Sequence, residues 1–282
     1  MGGGSHWAKA MGIRLYDAHN HLQDERLKPH WEAIRPALER EGVVRMVVNG
    51  AGEMDWAEVL ALARQWPQVL PSFGCHPWYV AQCGEDWQKT LVSYLDRVAS
   101  GVGEIGLDRW VKGHDLARQE AAFQWQLKLA AERNLPASIH CLQAWGRLLE
   151  NLRAGPLPRR GFLLHSYGGS RELLGPLAEL GAYFSFPGYF AHPRKARQRE
   201  VFRQVPADRL LVETDAPDQL LPENLNAYPL AEAGTGKPLN HPACLGAVYR
   251  CLAEVRGEPL EVLSHQVEEN FHKLFGGLAR GS

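Results

Sequence analysis

The chain has 282 residues and a formal net charge of -1, with 45% hydrophobic and 22% charged residues. Such a length and composition suit a folded domain with a large core and exclude a disordered chain. The near-neutral balance excludes a whole-surface attraction for nucleic acid, leaving room only for a local basic patch.

No apolar run is long enough to span a membrane, so no membrane association is expected. The first residues lack the apolar stretch of a signal peptide. Residues 1–12 and 277–282 are read as flexible tails around one domain at 13–276. The cysteines are Cys75, Cys83, Cys141, Cys244 and Cys251. Their odd number and the lack of a CxxC pair lead us to expect reduced, mostly buried thiols in a cytoplasmic protein. A monomer is expected.

Strands are expected at 13–18, 43–49, 69–74, 102–107, 136–140, 161–166, 182–186 and 209–214. Several are too evenly apolar for a sheet with one wet face, which suits parallel strands covered by helices. Helical spacing falls between them, at 54–66, 86–100, 115–134, 143–153, 170–180 and 194–204. The clearest case is 115–134, where Ala122, Phe123, Leu127, Ala130 and Ala131 recur on one face and Asp115 can cap the start. Residues 216–241, rich in Pro, Gly and Asn, are read as a segment able to fold over the rim of the site. Two further helices, 242–257 and 260–275, close the domain. The alternation of strand and helix implies an α/β fold, either a TIM-type barrel or, with the same element order, a doubly wound open sheet.

Polar clusters sit at the ends of these apolar runs. His19 and His21 are two apart, so in a strand they share a face and can bind one divalent metal. Asp17 is expected to orient one of their imidazoles. Glu104 lies among glycines and apolar residues, where a carboxylate is costly unless paired or on a metal, and its two oxygens can bridge two cations. The surrounding Gly101-Val-Gly-Glu-Ile-Gly106 matches a dinucleotide fingerprint by letter only. Helical spacing precedes it, whereas the fingerprint follows a strand and opens a helix.

His140 and His165 each close a strand. Singly, such residues are better explained by structural hydrogen bonds than as ligands. Beside His19, His21 and Glu104 they favour a metal site. Asp215 suits a metal ligand that also takes a proton from the attacking water, with a helix cap as the bland alternative. His76 is expected to face substrate. Asp108 and Glu213 are read either as hydrogen-bonding groups behind the ligands or as structural residues. The basic run from His192 to Arg203 is read as a solvated helix face whose start can meet phosphates at the rim. Trp78, Trp110 and Trp145 follow motif residues and can line a pocket.

Taken in order, Asp17-Ala-His19-Asn-His21, Gly74-Cys-His76-Pro77, Gly103-Glu104-Ile-Gly-Leu-Asp108, Ile139-His140, Leu164-His165-Ser-Tyr and Glu213-Thr-Asp215-Ala-Pro217 resemble the TatD family of metal-dependent hydrolases, known as TatD-type deoxyribonucleases. The closing Glu269-Asn270-Phe-His-Lys-Leu-Phe275 belongs to the same pattern. The resemblance implies a distorted TIM barrel with two divalent ions (zinc, manganese or magnesium). One would be held by His19, His21, Glu104 and Asp215. The other would be held by Glu104, His140 and His165. Glu104 and Asp215 would carry the catalysis. It implies DNA as substrate and phosphodiester cleavage, with the aminoacyl bond of transfer RNA or another carbonyl compound as the alternative. Leu142 and Gln143 depart from the family's arginine and acidic residue after the fifth strand, which removes one expected phosphate contact.

Overall fold

The computed structural model describes residues 12–113 and 115–278. The tails expected at either end lie largely outside the described residues, as does His114.

Eight strands run in parallel in the order β1 to β8: β1 (Leu15–Asn20), β2 (Val43–Asn49), β3 (Val69–Phe73), β4 (Gly101–Asp108), β5 (Ala137–Leu142), β6 (Phe162–Leu164), β7 (Ala182–Pro187) and β8 (Leu210–Glu213). The first and last meet at their carboxyl ends. Asp215 N–H donates to the His19 carbonyl at 3.0 Å, and His21 N–H donates to the Ala216 carbonyl at 2.8 Å. This seam makes a barrel and removes the open-sheet alternative. Every position of β1, β3, β4, β7 and β8 is buried, as parallel strands covered by helices require.

Among the described residues the α-helices are α1 (Trp31–Glu41), α2 (Trp56–Gln65), α3 (Trp87–Arg97), α4 (Leu116–Arg133), α5 (Trp145–Ala154), α6 (Leu174–Glu179), α7 (Ala196–Phe202), α8 (Leu245–Arg256) and α9 (Leu260–Phe275). In α4 the Asp115 carboxylate accepts from Arg118 N–H at 3.0 Å, and Asn134 ends the helix in the left-handed region at φ 49°. Both follow from the preference of short polar side chains for helix ends. One core cluster runs from Ile13 to Phe275.

Three features depart from expectation. Helix α1 has no counterpart in the sequence pattern: it carries Pro36 in its interior and no side chain caps its start. Cys75 and Cys83 form a disulfide rather than two thiols, because the turn at 74–83 doubles back and brings the two residues together. Cys141, Cys244 and Cys251 are free, as expected. The segment 216–241 also follows only part of the expected path. Asp218 and Gln219 reach the rim, whereas Tyr228 crosses to α1 and donates to Glu41 at 2.6 Å.

Candidate metal centre

The carboxyl ends of the strands carry the site. Glu104 is turned into it by an irregular pairing of β4 with β5, where the register shifts between Val102 and Ile105. The flanking glycines have a steric reason. A side chain on Gly106 (φ +149°) would collide with the His140 carbonyl, and one on Gly103 would come within 2.7 Å of Ser138 Cβ. The glycines thus let β4 lie close against β5 while Glu104 swings inward.

The Glu104 carboxylate faces two groups of imidazoles. Its Oε2 lies 3.4 Å from His19 Nε2 and 3.2 Å from His21 Nε2. Its Oε1 lies 2.8 Å from His165 Nε2, 3.1 Å from His140 Nδ1 and 3.4 Å from His76 Nε2. On the first side, Asp215 Oδ1 stands 3.6 Å from both His19 Nε2 and His21 Nε2, which are 3.3 Å from each other. Three sets of ligand atoms cluster within 4.8 Å: His19, His21 and Glu104; His19, His165 and Asp215; and His76, Glu104 and His140. His76, expected to face substrate, lines the cavity and also stands with Glu104 and His140 in this cluster.

A tetrahedral ion bonded at about 2.0–2.1 Å separates its donor atoms by roughly 3.3 Å. The 3.2–3.6 Å spacings among His19, His21, Glu104 and Asp215 match that figure. Buried imidazole nitrogens with carboxylates between them are a donor set suited to a transition-metal cation such as zinc, and less to magnesium, which prefers oxygen ligands.

Surrounding groups fix the rings. His21 Nδ1 donates to the Asn49 carbonyl at 2.8 Å, and His140 Nε2 meets Asp108 Oδ2 at 2.8 Å. Asp17 behaves differently from expectation. It accepts from His19 N–H at 3.2 Å, Asn20 Nδ2 at 3.1 Å, Thr214 N–H at 3.0 Å and Thr214 Oγ1 at 2.6 Å. It therefore ties β1 to the end of β8, and the His19 Nδ1 atom has no hydrogen-bond partner. Glu213 accepts from Ser166 and Ser185 and stands 3.7 Å from His165 Nδ1.

The electrostatics follow from burial and charge. Burial opposes ionisation of Glu104, but His165, His76 and His19 together hold it well below the usual carboxylate range. Burial likewise disfavours a charged His21, yet Glu104 and Asp215 raise it to about 10. Burial, with His165 alongside, lowers His19 to about 4. Asp215 is pushed up to about 7 by burial, reinforced by Glu213 and Glu104. Asp108 is held at about 2: its burial penalty is outweighed by His140 and the Trp78 N–H.

The cluster opens into a cavity of about 1070 Å³. Several lining residues carried no signal in the sequence. Gln219 donates to Asp215 Oδ2 at 2.8 Å and also to Ser166. Gln143, Ser166, Asp215 and Gln219 all line the cavity with positive φ, a conformation that costs an L-residue free energy and gathers at functional sites. From the basic run only Lys195 lines the cavity along with Gln198, its Nζ 4.8 Å from the Tyr189 ring. Arg199 is spent on the Phe190 and His192 carbonyls at 2.7 and 2.6 Å.

A histidine–carboxylate cluster at the carboxyl rim of a β/α barrel defines a metal-dependent hydrolase. Comparison with known proteins makes the assignment narrower. The chain belongs to the family described as TatD related DNase, whose pattern matches residues 16–276. It is 30% identical over 268 residues to the uncharacterized metal-dependent hydrolase YjjV of Escherichia coli K12, covering 94% of this chain and 99% of that one. It is 31% identical over 272 residues to the 3'-5' ssDNA/RNA exonuclease TatD of Pantoea ananatis, covering 93% and 99%. The crystal structure of Escherichia coli YjjV superposes with a TM-score of 0.83 at 29% identity, covering 93% and 98%. Among the described residues no helix is long and apolar enough to cross a membrane.

Proposed function

We propose that this chain is a two-metal phosphodiesterase that shortens single-stranded DNA. The observation that carries the reading is the division of Glu104 between two imidazole groups, one oxygen to each. His19, His21, Glu104 and Asp215 would hold one ion, and Glu104, His140 and His165 the other. His76, whose Nδ1 accepts from Trp78 N–H, would keep its proton on Nε2 and turn that N–H towards Glu104 and the substrate rather than bind an ion. Zinc, manganese or magnesium would there stabilise charge on the phosphoryl oxygens and acidify the attacking water. Asp215 would accept the proton of that water, with Gln219 holding its other oxygen in place. The relatives named as exonucleases support the substrate class. The reading includes one domain at 13–276, a monomer, and a cytoplasmic setting, against which the Cys75–Cys83 disulfide stands.

The test uses metal-stripped protein and end-labelled single-stranded DNA, re-supplied with each ion, beside Asp215→Asn. Metal-dependent shortening lost in the variant is the expected result. A carbonyl substrate is the second reading, favoured by the exposed Leu142 where family members offer an arginine. It gains if DNA survives every metal while a simple aryl ester is hydrolysed.

A further inference from the structure

Six large apolar side chains are exposed among the described residues, and four of them, Met54, Trp78, Trp110 and Leu142, line the cavity into which the histidine–carboxylate cluster opens. Apolar exposure concentrated at a site needs an occupant. The two tryptophans are 43% and 60% exposed, and their rings lie near-parallel, 29° apart with centroids 6.5 Å from each other.

A single carboxylate secures both. Asp108 Oδ2 accepts from Trp78 Nε1 at 2.8 Å, and Asp108 Oδ1 accepts from Trp110 N–H at 2.7 Å. The same Oδ2 holds His140 Nε2 at 2.8 Å. Trp78 N–H also donates to His76 Nδ1 at 3.1 Å. The Trp78 ring stands 6.5 Å from the His140 ring, centroid to centroid. The Trp78 indole is thus held beside the cluster by its own N–H, Trp110 is held there through its backbone N–H, and both side chains remain exposed.

We propose that Trp78 and Trp110 form a stacking platform for one unpaired nucleobase, the base of the nucleotide next to the bond being cut. The inference rests on the phosphodiesterase reading above. An exposed pair of near-parallel indoles beside a phosphate-cleaving centre matches the flat face of a base, and every base has such a face. In a duplex that face is covered by its neighbours, so the platform selects single strands. It also supplies binding that the missing arginine at Leu142 does not.

The test measures KM and kcat on a short single-stranded oligonucleotide for the wild type, Trp110→Ala and Trp110→Phe. A second set of substrates places one abasic residue at each of the terminal positions in turn. Stacking on an aromatic side chain is worth about 5- to 150-fold in binding per base. Trp110→Ala should raise KM by such a factor, with the loss falling on KM rather than kcat, and Trp110→Phe should recover most of it. At one position the abasic substrate should erase the difference between wild type and Trp110→Ala. Equal KM values for the three proteins on the intact strand would overturn the platform while leaving the nuclease reading intact. An equal loss on intact and abasic strands at every position would overturn it too. A correctly folded, metal-loaded wild type that cuts no oligonucleotide overturns the nuclease reading, and the platform with it.

Discussion

Asp108 holds His140 from the side opposite Glu104: its Oδ2 lies 2.8 Å from Nε2, while Nδ1 of the same ring lies 3.1 Å from Glu104 Oε1. The ring is thereby fixed in both rotation and tautomer, with Nδ1 left to face the cluster. Loss of such a partner typically costs 10- to 100-fold in metal affinity or activity. Asp108→Asn should therefore weaken binding of one equivalent of metal by about that factor and leave the other equivalent unchanged. Titration calorimetry on stripped protein checks this, and two equally weakened sites would contradict it.

Among the described residues, Lys195 and Arg26 are the two lysine or arginine side chains lining the cavity. Arg26 is already paired, at 2.7 Å to Asp24 and 2.8 Å to Asp218. Lys195 is the side chain left to meet a phosphate. Lys195→Ala should weaken oligonucleotide binding uniformly across sequences and lower the slope of log affinity against log salt by about 1. An unchanged slope would place Lys195 outside the substrate path.

Metal uptake should release protons. In the metal-free site, burial disfavours a charged His21 but Glu104 and Asp215 raise it to about 10, so it carries a proton at neutral pH. A metal must displace that proton, because the ligand is the neutral ring. Apparent affinity should therefore rise as pH rises from 6 to 8. Calorimetry in buffers of different ionisation enthalpy should report at least about one proton released per chain at pH 7. A heat of binding independent of buffer would refute this.

Asp17 is a structural tie between the barrel's first and last strands. Removing its carboxylate leaves the buried Thr214 N–H and Oγ1 and the Asn20 amide without their acceptor. Each buried group left unsatisfied costs about 1–3 kcal/mol. Asp17→Ala should lower unfolding stability by roughly 3–5 kcal/mol, read by denaturant melts of metal-free protein. A change under about 1 kcal/mol would show that the seam does not depend on it.

The barrel was legible because parallel buried strands leave evenly apolar runs. β2 spans the expected 43–49, and β7 the expected 182–186 with Pro187 added. His19, His21, Glu104, His140, His165 and Asp215 stood out since strand ends are where charged residues interrupt such runs. What escaped notice depends on contacts between distant segments. Helix α1 hides behind Pro36 and an uncapped start. The Cys75–Cys83 pairing depends on how one turn folds back. Asp17 was given the wrong target, because the sequence puts it beside His19 but only the closed barrel puts it beside Thr214. Gln219 reaches Asp215 through two left-handed residues that no local pattern announces.

The central claim is that Glu104 joins two metal ions. Electron paramagnetic resonance of stripped protein saturated with manganese addresses it directly. Two ions sharing one carboxylate, roughly 3.5–4 Å apart, should give an exchange-coupled spectrum that Glu104→Gln abolishes. The uncoupled spectrum of isolated manganese in the wild type, with one ion bound per chain, would contradict the account.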